Sequence, residues 1–359
     1  MSYELFISRA SPYSSKVRAL AGYADFSHQV RVQNAVNRYA VIRRLTGKTM
    51  VPVLRRGKWA INDSTQIARY IMARSPRPTL PSTEAQTLAW MLEDFADEWM
   101  VRWMAHSRWR HRDDADEVSE LIGRELTGVV PVGERLVGRQ ASRWIRRSME
   151  RWGIRPENDD ALQSSAIRCL EVLEELLSET PNFLFGSYPT VTDFAFYGPL
   201  VQYRSDPTGA GRLRDYPAVQ RYIDRLDAMI DGVGVVTGPG RSERTPDLAR
   251  FQPLFAELMG TYWRILVANY RVKARGSGQR EVTAPLLDGN HINFDASSYL
   301  QGRLEKMLER VDKTYAERDR LFGESGIRME RAIVECIAEL CESEAGRRLL
   351  KRYRHVGMH

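Results

Sequence analysis

An alternating apolar run, Tyr3-Glu4-Leu5-Phe6-Ile7-Ser8, is followed at once by Ser11-Pro12-Tyr13-Ser14 and then by Val17, Leu20 and Ala21 at helical spacing. That order dictates a strand, a tight turn and a helix at the start of the chain. Ser11 suits the N-cap, and Pro12 suits the first helical position, where a missing N–H removes no helix bond. The Ser11 hydroxyl then stands beside unpaired backbone N–H groups and the positive end of a helix. Such a place favours an anion, a thiolate among them.

Two later segments extend the pattern. Thr49-Met50-Val51-Pro52-Val53-Leu54 enters a strand through a proline, and Lys58-Trp59-Ala60-Ile61 returns from Arg55-Arg56-Gly57 as the second arm of a hairpin. Ile61-Asn62-Asp63-Ser64-Thr65-Gln66-Ile67-Ala68-Arg69-Tyr70-Ile71 starts a helix, with Ser64 expected at its cap and Ile67, Ala68 and Ile71 on one face. Val30 and Val32 alternate in a strand, and residues Asn37 to Leu45 form a helical patch. The predicted order is β-α-β-α-β-β-α.

In this order and spacing the three segments resemble the glutathione transferase family, in the members that use a serine at the first turn. Ser-Pro-Tyr-Ser also looks like the Cys-Pro-Tyr-Cys of glutaredoxins with both cysteines replaced. The resemblance implies an α/β thioredoxin-like N-terminal domain with Pro52 in the cis form. It implies that Val51 offers its backbone N–H and C=O to the cysteinyl part of glutathione, as a short strand addition. It places the γ-glutamyl group on Asp63 and Ser64, the acid meeting the ammonium and the serine the carboxylate. Lys48, or else Arg38, would supply a cation to the glycyl carboxylate. Ser11 would be the catalytic residue, donating a hydrogen bond to the sulfur, with Ser8, Tyr13, Ser14 and Ser15 as alternative donors. With serine at both 11 and 14, no mixed disulfide can form through that turn, which disfavours thiol-transferase chemistry.

Ser75-Pro76-Arg77-Pro78-Thr79-Leu80-Pro81-Ser82 cannot continue a helix, so a domain over 1–75 is expected to end in a linker over 76–82. From Thr83 nearly everything carries helical periodicity. Leu88, Met91, Leu92, Phe95, Trp99 and Trp103 lie in a broad apolar stripe that suits a packed core. The resemblance adds another use for it: Trp99, Trp103 and His106, together with Tyr13, would line the pocket of a hydrophobic co-substrate. Further amphipathic helices are expected over 113–127, 134–152 and 160–178. Thr190-Val191-Thr192-Asp193 is a capping box at the head of a helix, and family members use such a box to nucleate their all-α C-terminal domain. That domain is expected over 83–230, followed by a glycine-rich connector over 231–246 and a mostly helical extension over 247–359 packed on it. Leu287-Asp288-Gly289-Asn290 signals a hairpin within the extension.

The chain has 359 residues and a formal net charge of +7. Its densest basic cluster, Arg139, Arg143, Arg146, Arg147, Arg151 and Arg155, is followed by Glu157, Asp159 and Asp160 and accompanied by no nucleic-acid motif, so it is expected to be a solvated face with no nucleic-acid partner. A positive surface would speed encounter with glutathione, an anion. No run approaches the roughly 18 apolar residues of a membrane span, and the chain enters a strand without a secretory leader. The three cysteines, Cys169, Cys336 and Cys341, are odd in number and sparse, which points to a reducing compartment such as the cytoplasm. His106 and His111 are five apart and off a common helix face, so no metal site is expected. The resemblance thus implies a glutathione transferase, or a related isomerase, dehalogenase or peroxidase, that takes glutathione as co-substrate and a small hydrophobic electrophile and pairs as a homodimer. The alternative is a non-catalytic module of the same fold that binds apolar ligands or protein partners.

Overall fold

Strands β1 (Tyr3–Ile7), β2 (His28–Val32), β3 (Val53–Arg56) and β4 (Trp59–Ile61) form one mixed sheet in the order β2-β1-β3-β4. β1 runs parallel to β2 and antiparallel to β3, with Phe6 opposite Val53. β3 and β4 are the expected hairpin, with Leu54 opposite Ile61 and Gly57 at φ +62° in the turn. Leu5, Phe6, Ile7, Val53 and Leu54 are buried, so the central strands are apolar for the reason a core strand must be. Helix α1 (Pro12–Tyr23) follows β1, and α2 (Ser64–Met72) follows β4. Between β2 and β3 the chain makes a short helical stretch of Ala35–Asn37, a π-helical turn at Arg38–Ile42 and Arg43–Thr46. This is the thioredoxin-like arrangement expected from the sequence.

The computed structural model describes residues 2–128, 133–179, 182–230, 248–276, 278–316, 333–335 and 337–353. The connector over 231–246 and Cys336 lie outside the described residues. After α2 the chain continues as α3 (Gln86–Phe95), a π-helical turn (Ala96–Met100), α4 (Val101–Arg110), α5 (Arg112–Thr127), α6 (Glu134–Glu150) and α7 (Asp159–Glu179). It goes on as α8 (Val191–Ser205), α9 (Pro207–Leu213), α10 (Pro217–Ile230), α11 (Gln252–Glu257), a second π-helical turn (Leu258–Trp263) and α12 (Arg264–Arg275). The hairpin β5 (Glu281–Pro285) and β6 (His291–Asp295) precedes α13 (Ser298–Ala316), and α14 (Glu344–Leu350) comes last. The chain divides into two units, each discontinuous. The first takes the chain up to Leu80, then Met104–Ser148, then the part from Leu177 through α10; the second takes Pro81–Trp103, Met149–Leu176 and the part from α11 onward. Residues 83–230 therefore contribute to both.

Within the first unit α8 is the central helix. Its cap is the expected box: the Asp193 carboxylate accepts from the Thr190 N–H at 2.7 Å and from the Leu184 N–H at 2.8 Å. Tyr222 donates its hydroxyl to the same carboxylate at 3.1 Å, which ties α10 to the head of α8. α1 packs directly on α8 at Gly198, where a Cβ would lie 2.6 Å from the Pro12 carbonyl oxygen.

The second unit is built around Trp99, Trp103 and Trp263, none of which reaches solvent. The Trp99 indole N–H donates to Ser165 Oγ at 2.8 Å, and Ser165 donates in turn to the Glu257 carboxylate at 2.6 Å. Asp94 is buried and accepts from the Tyr262 hydroxyl at 2.9 Å, with Arg303 of α13 as its ion-pair partner. The chain from α11 onward thus supplies both a hydroxyl and a cation to a buried acid of α3. The β5–β6 hairpin closes at the expected residues, with Gly289 at φ +83° and the Leu286 N–H donating to the Asn290 carbonyl at 2.7 Å. Arg155 is not part of a free basic face: it bridges Glu281 and Asp295 at the open end of that hairpin.

Candidate functional site

The strand directions gather the sequence-predicted residues at one end of the sheet. β1 ends at Ile7, and the turn to Ser11 begins there. β3 is antiparallel to β1, so its leading residues, Val51 and Pro52, lie at that same end; the bond between them is cis, as expected. β4 is antiparallel to β3 and therefore delivers Asp63 and Ser64 there too. β2 is parallel to β1 and brings Gln33 and Asn34, with the Gln33 N–H donating to the Ile7 carbonyl at 2.7 Å.

At that end Ser11 is the N-cap of α1, in extended backbone, and its Oγ accepts the Ser14 N–H at 3.3 Å. Ser11 is half-buried, and its own hydroxyl hydrogen has no acceptor among the described residues. Two neighbouring serines donate their hydroxyls elsewhere, and the third is out of reach of solvent. Ser8 donates to Glu125 at 2.7 Å, Ser14 is fully buried and accepts from the Ser8 N–H, and Ser15 donates to the Ser11 carbonyl at 3.3 Å. Tyr13 is half-buried in the first turn of α1.

The helices of this unit hold the turn from two sides. From α5, the buried Glu125 carboxylate accepts from Ser8 Oγ and from the Arg9 N–H, both at 2.7 Å, and from Gln33 Nε2 at 3.4 Å. From α4, the buried Arg108 guanidinium donates to the Ala10 carbonyl at 2.9 Å, and from α8 the Gln202 amide donates to the Arg9 carbonyl at 2.8 Å. Arg108 is itself fixed by both oxygens of Asp206, at 2.8 and 3.1 Å. Burial pushes the Asp206 carboxyl up to about 6 even though Arg108 pulls it down. None of Arg108, Glu125, Gln202 and Asp206 was anticipated from the sequence. Glu125 had a readable signal, because it shares the buried face of α5 with Val118, Ile122 and Leu126. A carboxylate on an apolar stripe must have found partners elsewhere.

Two expectations need correction, the cap at Ser64 and the pocket role of the tryptophans. The cap of α2 is Asp63, not Ser64: Asp63 is extended at φ −111°, and its carboxylate accepts the Gln66 N–H at 2.9 Å. A charged acceptor at the positive end of a helix outcompetes a hydroxyl one residue later, and Ser64 becomes the first helical residue. Trp99 and Trp103 are completely buried in the second unit and serve packing there, because large flat rings at helical spacing fill a helix core first. His106 belongs to the first unit and is buried as well. Lys48 is exposed, whereas Arg38 is half-buried and donates Nε to the Thr49 carbonyl at 2.8 Å, two residues ahead of Val51.

A cavity of about 320 Å³ opens beside the turn, with Arg9, Gln33, Asn34, Arg124 and Glu125 in its wall. No group of acids, histidines and cysteines suited to a metal occurs among the described residues. Among those residues, no helix is long and apolar enough to cross a membrane.

Residues 5–79 match the family model described as glutathione S-transferase, N-terminal domain, and residues 144–225 match that of the glutathione S-transferase C-terminal domain. No curated protein matches the chain. Among solved structures, the chain is similar to the β-etherase LigF of Sphingobium sp. strain SYK-6, at 16% identity over 64% of this chain and 96% of that one, with a TM-score of 0.46. It is similar to a glutathione S-transferase of Methylobacillus flagellatus KT solved with glutathione bound, at 16% identity over 65% of this chain and 100% of that one, with a TM-score of 0.44. A transferase-like protein of Pseudomonas syringae matches at 18% identity over 64% of this chain and 67% of that one, with a TM-score of 0.44.

Proposed function

We propose a function from one premise: the chain belongs to the glutathione S-transferase family, through both its N-terminal and its C-terminal domain. It binds glutathione at the sheet end where Ser11, Val51, Pro52, Asp63 and Ser64 lie, and it activates the thiol for attack on an electrophile. The observation that carries this is the Ser11 hydroxyl, half-exposed at the head of α1 with its hydrogen uncommitted, while Ser8 and Ser15 donate theirs elsewhere and Ser14 is fully buried.

A free thiol titrates near about 8.5, so little of it is thiolate at neutral pH. A hydroxyl donating to the sulfur, and a helix N-terminus behind it, both favour the charged form. Ser11 is therefore a hydrogen-bond donor and not the nucleophile. The thiol proton passes to solvent, the thiolate forms a sulfur–carbon bond with the electrophile, and the leaving group departs with its electron pair. Val51 would pair its backbone with the cysteinyl residue, and Asp63 and Ser64 would take the γ-glutamyl end. For the glycyl carboxylate, Arg38 is the stronger choice over Lys48, since it is half-buried and already anchored beside the proline segment.

The test is retention on immobilised glutathione together with the ultraviolet absorbance of bound thiolate. Ser11→Ala is expected to keep retention and lose the thiolate signal at neutral pH. Unchanged turnover in that variant would remove Ser11 from the mechanism, and failure of the unaltered protein to bind glutathione would leave it a module of this fold without the activity.

A further inference from the structure

We propose that the cavity beside the Ser11 turn receives a carboxylate carried by the electrophilic co-substrate, held by the guanidinium groups of Arg9 and Arg124. The proposal rests on the glutathione reading above and names the substrate class for that same site.

Position comes first. In the sheet order β2-β1-β3-β4, the residues assigned to glutathione, Val51, Pro52, Asp63 and Ser64, sit on the β3–β4 side of β1. Gln33 and Asn34 of the cavity wall sit on the β2 side. Ser11 follows β1, between the two. A thiolate held at Ser11 would thus have glutathione on one flank and the cavity on the other, a flank that glutathione leaves open to the reacting partner.

The wall is mixed: Val32 and Leu121 supply an apolar part, and two arginines supply charge. Arg9 and Arg124 are both exposed. The Arg9 guanidinium has no partner among the described residues, and Arg124 has only a 3.5 Å contact from its Nε to the Glu120 carbonyl of its own helix. The one acid in the wall, Glu125, is already committed to Ser8, the Arg9 N–H and Gln33. Asn34 uses its carbonyl oxygen to accept the Asn37 N–H at 2.8 Å, which leaves its NH₂ as a further donor. Two cations against one satisfied anion leave a single positive charge, which matches a monoanion better than a doubly charged phosphate. A wholly apolar electrophile would strip water from two guanidinium groups and return no hydrogen bond to either. A carboxylate returns charge-assisted bonds to both.

Calorimetric titration of the full chain with two glutathione conjugates, S-benzylglutathione and S-(4-carboxybenzyl)glutathione, tests this. The carboxylate conjugate is expected to bind about tenfold tighter, the net gain of two solvent-exposed charge-assisted hydrogen bonds. In Arg9→Ala combined with Arg124→Ala that advantage should vanish while S-benzylglutathione binds as before, which also reports that the variant is folded. Equal binding of the two conjugates to the unaltered protein overturns the proposal. So does an equal weakening of both in the variant, because the guanidinium groups would then be reading the carboxylates of glutathione itself. If neither conjugate binds, the glutathione reading fails and the proposal falls with it, an outcome distinct from the other two.

Discussion

Glu125 accepts a 2.7 Å hydrogen bond from the Ser8 hydroxyl, 117 residues earlier in the chain, and a second 2.7 Å bond from the N–H of Arg9. The segment leading into Ser11 is therefore set by a side chain of α5 as much as by its own backbone. Glu125→Ala would leave a buried hydroxyl and a part-buried N–H without their acceptor. The expected destabilisation is on the order of 3 kcal/mol by chemical denaturation. Glu125→Gln keeps one acceptor oxygen and should lose about half as much. In both variants the thiolate titration of bound glutathione should shift to higher pH, since Ser11 would no longer be held in place. An unshifted titration in a destabilised variant would confine Glu125 to a structural role.

Gly198 of α8 touches the first residue of α1: a methyl group there would fall 2.6 Å from the Pro12 carbonyl oxygen. That oxygen belongs to the backbone and cannot rotate away. Gly198→Ala should therefore push α1 off α8, lose about 1–3 kcal/mol as overpacking does, and reduce retention on immobilised glutathione. Gly211→Ala in α9 has nothing within 4 Å of the new methyl group and serves as the control that leaves both properties intact.

The parts of this fold that were legible in the sequence are those decided locally. The strand, cap and helix around Ser11, the hairpin through Gly57, the box at Thr190 and Asp193 and the Leu287–Asn290 turn each follow from residues a few positions apart. Where two adjacent residues could both cap, as at Asp63 and Ser64, pattern alone does not choose, and the charge of the carboxylate decided it. Periodicity reports that Trp99 and Trp103 share a face but not whether that face meets a cavity or a core. The clamp of Glu125, Arg108 and Gln202 on residues 8–10 was hidden because its partners are far apart in the chain. The misplaced charge of Glu125 on an apolar stripe was the one local trace of it.

Asp193 carries the head of α8 through four donors: the N–H groups of Leu184 and Thr190 and the hydroxyls of Thr190 and Tyr222. Burial pushes its carboxyl up while those bonds pull it back. Asp193→Ala should destabilise the protein by about 3 kcal/mol, more than a solvent-exposed cap, because its donors are buried and find no water. Asp193→Asn, which retains one oxygen, should fall between that variant and the unaltered protein. Denaturant midpoints with unchanged slopes would register both.

The second unit predicts a pH dependence through Glu98. Burial raises this carboxyl from 4.5 to about 7, against the opposing hydrogen bond from Tyr299 and the charge of Arg102. An acid whose pKa rises on folding keeps a proton that the unfolded chain has already released. Its contribution to stability is therefore fully present below about 4.5 and is lost as pH climbs through about 7. Two and a half units correspond to a fall on the order of 3 kcal/mol across that window. Glu98→Gln removes the ionisation and should flatten this part of the profile, leaving the variant the more stable protein above neutral pH. Asp206 titrates in the same direction near 6, so the Glu98 share is the difference between the two profiles and not the slope of either alone. Tyr299→Phe takes away a donor that favours the ionised form, so it should move the fall to higher pH. Parallel profiles for the unaltered protein and Glu98→Gln would show that Glu98 is ionised throughout and that the cations of α13 already neutralise it.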